Sequence, residues 1–234
     1  MRNPFNSIVA TLAAGLFAFA APQAANAITL NFSSVTNAGI TFNPVGDTFS
    51  FTDGDGGFDF AIGGGATGAA NGLKGNLGGT FTIDGPIITS PGPFLGTIIE
   101  QSSVSSSSGT FSIVDASNQV FFANVSWIDI YTMGNPLSTQ GGINAGGVLN
   151  LSGITYSGTN VDLLNLSLAP NGLGAITFQF QPGQFLSNLT AGTTPQATTY
   201  SGTVSSVPEG GSAMALLGLA LIGIEIVRRK FTLA

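Results

Sequence analysis

Between residues 28 and 206, apolar and polar side chains alternate with a period of two, and this pattern constrains the fold more than any other feature of the chain. Ile28, Leu30 and Phe32 alternate with Thr29, Asn31 and Ser33, and Ile176, Phe178 and Phe180 alternate with Thr177, Gln179 and Gln181. A period of two puts every second side chain on one face of a pleated strand, so each run reads as a strand with one buried face. Phe49 and Phe51, Phe58 and Phe60, Phe81 and Ile83, and Phe111 and Ile113 give shorter copies. Two runs change phase. Within 120–131 the shift from Val125 and Trp127 to Ile128 and Ile130 predicts a bulge near Trp127, and within 161–168 the alternation slips at Leu163.

Turn formers such as Asn43-Pro44, Asp84-Gly85-Pro86, Gly134-Asn135-Pro136 and Pro170-Asn171-Gly172 separate the runs, and no internal window sustains a helical period. The expectation is an all-β domain over residues 28–206, an antiparallel β-sandwich of jelly-roll-like form with ten or more strands. The glycine-rich stretch 63–79 is expected to be a mobile loop, and Thr198 to Val204 a last strand followed by a linker.

Only 7% of the residues are charged, against roughly 25% in an average soluble domain. Within residues 28–207 Lys74 is the single cation, facing Asp47, Asp53, Asp55, Asp59, Asp84, Glu100, Asp115, Asp129 and Asp162. Binding a phosphate backbone requires Lys and Arg to displace counterions, so nucleic acid is not an expected partner. The polar surface must be Ser, Thr, Asn and Gln, which suits hydrogen bonding to sugars and equally a weakly charged extracellular domain. The chain has no cysteine and no histidine. Disulfides, thiol or His-dependent nucleophilic catalysis, Cys/His zinc sites and haem ligation are thereby excluded, and only carboxylate chemistry is left.

Residues 1–27 have the three parts of a secretory signal, expected as a signal helix: Arg2, an apolar run from Ile8 to Ala21, and a small-x-small end at Ala25-Asn26-Ala27. Cleavage after Ala27 leaves Ile28 as the mature N-terminus. A second apolar stretch, 213–227, is expected as a single transmembrane helix, followed by a basic cytoplasmic tail, 228–234, that begins Arg228-Arg229-Lys230. Fifteen residues cover about 22 Å, a thin span that Gly210 to Ser212 could lengthen. The cations stay on the cytoplasmic side and place the domain outside.

Ahead of this stretch stands Val207-Pro208-Glu209-Gly210-Gly211-Ser212, residues 207–212. This signature, followed by one apolar helix and an Arg-rich end, resembles the PEP-CTERM sorting signal and is closest to its VPDSG-type variant. Gly210 replaces the second proline of the Pro-Glu-Pro form, and Glu209 replaces the variant's aspartate. The resemblance covers residues 207–234. It implies an exosortase-like membrane transpeptidase that cuts near Pro208-Glu209, releases the helix and transfers the domain to a surface acceptor.

The densest acidic group is Asp53-Gly54-Asp55-Gly56-Gly57-Phe58-Asp59. Carboxylates spaced by glycine can wrap calcium, because glycine lets the backbone turn and supply carbonyl oxygens; the same residues also read as a plain acidic turn. The EF-hand register fails, since Gly64 stands where a bidentate Glu is needed. Gly63-x-Gly65-x-x-Gly68 matches a dinucleotide fingerprint only formally, with no helix expected after it. Glu100, Asp115 and Asp129 are the possible acid, base or nucleophile of a glycosidase, although their spacing singles out no pair.

The chain is therefore expected to be an exported, non-catalytic surface protein, membrane-anchored before processing and structural or adhesive in the envelope or extracellular matrix. The alternative is a carbohydrate-binding module or carboxylate-dependent hydrolase for extracellular polysaccharide. An open groove holding Trp127 or Tyr131 beside two carboxylates would favour the alternative; buried aromatics and dispersed acids would favour the structural role.

Overall fold

The computed structural model of the protein describes residues 28–106, 109–137, 143–169, 171–180 and 182–206. The signal helix, sorting signature, transmembrane helix and basic tail expected at 1–27 and 207–234 lie outside the described residues. Among the described residues no helix is long and apolar enough to cross a membrane.

Among the described residues, fourteen strands and two short helices follow one another along the chain. They are β1 (Thr29–Ser34), β2 (Gly39–Asn43), β3 (Thr48–Thr52), β4 (Phe60–Gly64), β5 (Lys74–Gly78), β6 (Thr80–Ile83) and β7 (Ile88–Pro91), then β8 (Ile98–Ser106), β9 (Gly109–Val114), β10 (Val120–Gly134) and β11 (Ile143–Thr155). Helix α1 (Val161–Ser167) precedes β12 (Asn171–Phe180), and α2 (Leu186–Ala191) precedes β13 (Gln196–Thr198) and β14 (Tyr200–Ser206).

Every strand pairing is antiparallel, so the all-β expectation holds, but the jelly-roll-like sandwich is corrected. Eight strands close on themselves in the order β10-β11-β12-β14-β1-β4-β5-β9, with β9 returning to β10. The length of β10 decides this closure. One of its edges is shared by β9, which pairs with residues 120–125, and β8, which pairs with 129–134, while β11 runs along the other edge. The predicted bulge falls between Trp127 and Asp129, where the partner changes. From there one edge of the strand stays on β11 while the other passes from β9 to β8, the first strand of a smaller sheet, β8-β6-β3-β2-β13, with β7 also paired to β8. A local bend is how a strand can serve two sheets.

The inward face of the barrel is the alternating apolar set: Leu30, Phe32, Phe60, Leu77, Phe111, Ile113, Phe121 and Ile176 are all buried. Phe60 stacks on Phe111 at 5.1 Å and lies 4.8 Å from Phe32. Glycines make room for these rings. Phe32 pairs with Gly202 and Phe60 with Gly75, and a Cβ at either glycine would stand 2.5 Å from the facing ring. Much of the chain's glycine is thus explained by large side chains lying across a neighbouring strand.

Both barrel ends are covered. At one end the small sheet lays Phe42, Phe49, Phe51 and Phe81 against Trp127, Phe178 and Tyr200, with Phe49 edge-on to Trp127 at 4.8 Å and Phe51 edge-on to Tyr200 at 5.0 Å. At the other end α1 buries Leu163 and Leu166 beside the connection 65–73. The run 161–168, read as an alternating strand, is in fact this helix: Asn160 caps it by accepting from the Asp162 and Leu163 N–H groups at 3.1 and 3.2 Å. The expected loop 63–79 is also corrected, because residues 74–78 form β5 and 65–73 are tied to Asp162.

Candidate functional site

The first candidate site is where the folded domain begins and ends. β1 and β14 pair in register from Thr29 with Ser205 to Ser33 with Ser201. Beyond that ladder, the Ile28 N–H donates to Ser206 Oγ at 2.9 Å and the Ser206 N–H donates to the Ile28 carbonyl at 2.9 Å. Both residues are buried. The barrel is therefore closed by its own first and last residues, at the end occupied by α1. The last strand reaches Ser206, so the linker expected after Val204 is replaced by paired strand.

The nine acidic residues do not gather. Glu100 accepts from the Ser187 N–H at 2.8 Å and the Ser187 hydroxyl at 3.0 Å, which holds the first turn of α2 against β8. Asp129 accepts from the Gln101 amide at 2.7 Å. Asp115 braces its own turn through the Ser117 and Gln119 N–H groups, at 2.7 and 2.8 Å, and accepts from the Tyr156 hydroxyl at 2.6 Å. The Tyr156 bond is the main reason that the Asp115 carboxyl is held below the usual range, and burial raises the Tyr156 phenol. Glu100 and Asp115 are engaged in separate internal braces, whereas the Asp129 bond lies on the exposed side of the sheet and its Oδ1 has no partner.

Among Asp53, Asp55 and Asp59, Asp55 accepts from the Asn37 amide at 2.8 Å. Asp59 is 2% exposed and accepts from the Leu77 N–H at 2.6 Å through Oδ2, while its Oδ1 has no hydrogen-bond partner. Burial pushes its pKa up to about 6; the Leu77 bond opposes that shift and the nearby Asp53 carboxylate reinforces it. Burial also raises the Tyr200 phenol, with Asp59 contributing. Among the described residues no three Asp or Glu side chains converge as a metal-holding group.

Trp127 is buried in the core, its indole N–H without a partner, and Tyr131 is half-buried. An open depression of about 450 Å³ lies elsewhere, on the outer barrel wall. Ser33, Thr177, Gln179, Thr199 and Ser201 line it with hydroxyl and amide groups, beside the aromatic residues Phe178 and Tyr200.

Sequence reasoning left Asp162 unassigned. Its buried carboxylate accepts from the Thr67 N–H and hydroxyl at 3.0 and 2.7 Å and from the Ala70 N–H at 3.0 Å. Burial alone would raise its pKa, but these bonds outweigh it and hold the carboxyl low. The available signal was Asn160 two residues ahead, a helix cap followed by an acid in the first turn.

No family model matches the chain, and no curated protein or solved structure matches it either.

Proposed function

We propose that this protein is an exported, non-catalytic surface domain, delivered by its signal peptide, held at the membrane by its C-terminal apolar stretch and handed on by an exosortase-like transpeptidase. The observation that carries this reading is the pairing of β1 with β14, which brings Ile28 and Ser206 together beside the two expected cut sites. The strand ladder that closes the barrel is complete between these two residues.

A structural or adhesive role is supported by the use made of the reactive groups. Glu100, Asp115 and Asp162 are engaged in separate internal braces, and Trp127 is committed to the core. Intact-mass measurement in the native host tests the reading. The expected product starts at Ile28 and ends near residue 208, with the longer form accumulating when the exosortase-like enzyme is deleted. A product retaining residues 213–234 in both strains refutes sorting.

The hydroxyl-lined groove of β1, β12 and β14 favours a second reading, a weak carbohydrate-binding module. Glycan binding that is lost in Thr177→Val and Gln179→Leu variants would support it. No binding across a panel of extracellular polysaccharides would dismiss it.

A further inference from the structure

We infer that the α1 end of the barrel is a lipid-facing surface, lying against the membrane headgroups while the chain is still anchored. The inference rests on the anchoring proposed above and adds which face of the domain meets the bilayer.

Three observations converge on that end. The first is where the chain leaves. Ser206 is the last residue of β14, and the apolar stretch starts at Ala213. Seven peptide units span at most about 25 Å when fully extended, and a glycine-containing segment of that length averages about 15 Å. The headgroup layer itself takes about 5–8 Å on each side of the hydrocarbon core. The domain therefore has little freedom to stand off from the membrane, and the part of it nearest Ser206 comes closest.

The second observation is an apolar face at this end. Helix α1 turns Leu163 and Leu166 into the core but presents Val161, Leu164 and Leu168 outward, positions i, i+3 and i+7 of one stripe. Leu168 is 80% exposed, and Val120 and Leu173, at the starts of β10 and β12, are exposed at the same end. Exposed apolar residues also occur at the β7–β8 end, Ile88, Phe94 and Leu95 among them, but the α1 stripe is the one beside the chain exit, the pattern of an interfacial helix face.

The third observation is charge. The acids at the α1 end, Asp115 and Asp162, are buried and fully engaged in internal hydrogen bonds. The exposed acids Asp47, Asp53, Asp55 and Asp84 all lie on loops of the small sheet or leading from it, at the opposite end. An anionic bilayer repels that end and accepts the α1 end.

The chain has no cysteine, so Leu168→Cys and Leu95→Cys each supply one reactive thiol at an exposed site, Leu95 being in the β7–β8 turn. The full-length variants, labelled with nitrobenzoxadiazole, are reconstituted through their tails into phosphatidylethanolamine/phosphatidylglycerol vesicles containing lipids doxyl-labelled near the headgroup. The expected result is blue-shifted emission at position 168, quenched by doxyl lipid several-fold more than at position 95. Vesicle-bound chain with equal, weak quenching at both positions overturns the inference and leaves the anchoring intact. A blue shift at 168 without doxyl quenching means that protein, such as a second copy of the chain, covers the stripe, and overturns it as well. Failure of the unlabelled chain to float with vesicles refutes the anchoring itself, and the inference falls with it.

Discussion

Asp162 and Thr67, 95 residues apart in sequence, are joined twice, by a 3.0 Å bond from the Thr67 N–H and a 2.7 Å bond from its hydroxyl, both to Asp162 Oδ1. With the Ala70 N–H on Oδ2, one carboxylate fastens the glycine-rich 65–73 connection to the first turn of α1 and seals that end of the barrel.

Asp162→Ala leaves these buried donors without acceptors and should cost about 3 kcal/mol, since each buried unpaired group costs roughly 1–3 kcal/mol and part of the loss is relieved by water entry. Asp162→Asn should cost less, because its carbonyl oxygen still accepts. Urea unfolding midpoints measure both, and equal stability of Asp162→Ala and the parent would refute the brace.

Asp59 predicts an unusual pH dependence. Its folded pKa of about 6 is raised above the ordinary aspartate value of about 4, so between these values the folded state holds more protons than the unfolded state. Stability from this group is present below about pH 4 and is lost as pH rises through 6, a decline on the order of 2 kcal/mol. Asp115 and Asp162 act in the opposite sense: their folded values are lowered, so their contribution is present above about pH 4 and lost as pH falls further. Thermal unfolding should therefore show a maximum near pH 4–5, and Asp59→Asn should flatten the alkaline side of that maximum. A parent profile that keeps rising to pH 7 would contradict the assignment.

Gly147 lies under the ring of Trp127, diagonally across the β10–β11 ladder, and a Cβ there runs into the indole edge. Gly147→Ala should displace the ring and destabilise the domain by about 1–3 kcal/mol, the usual range for overpacking. Trp127 is the chain's single tryptophan, so its emission should shift to the red in the folded variant. Unchanged emission with unchanged stability would mean that the strands separate freely at this point.

Ser206 makes a prediction about processing. Its Oγ accepts from the peptide N–H of Ile28, and the proposed cleavage after Ala27 would present an ammonium group to the same atom. Bonds to charged donors are stronger than neutral ones. Ser206→Ala should therefore cost about 1 kcal/mol in the uncleaved chain and about 2 kcal/mol in the processed one. Differential scanning calorimetry on the two forms makes the comparison, and an equal loss in both would place the N-terminal amine away from Ser206.

The inward faces of the long strands were legible because a two-residue period is a local property. Leu30 and Phe32, Phe111 and Ile113, and Ile176 and Phe178 all point where alternation puts them. The bulge near Trp127 was legible for the same reason, since it breaks the period. Residues 161–168 were misread because Leu164, Leu166 and Leu168 satisfy period two as well as the helical stripe does, and a run of eight residues is too short to separate the two. The helix Leu186–Ala191 is shorter still, and its first N–H groups are capped from distant strands, by Thr132 and Glu100, and not by Phe185 at its own start. The acidic residues were visible as a list, but which of them brace, and against what, was not.

The sequence by itself determined that this chain is built from half-buried strands, that its polar surface is nearly uncharged, and that His- and Cys-dependent chemistry is closed to it. These are consequences of side-chain type and local spacing. Only the tertiary structure decided that the strands close into a barrel instead of stacking as a sandwich. Closure depends on β10 pairing β9 and β11 at once, and on Ile28 meeting Ser206 across 178 residues. Backbone hydrogen-bonding groups are the same in every residue but proline, so an inward-facing alternation fits many partners equally well. Partner choice is settled by which whole set of strands buries its phenylalanines over its glycines with no edge left inside.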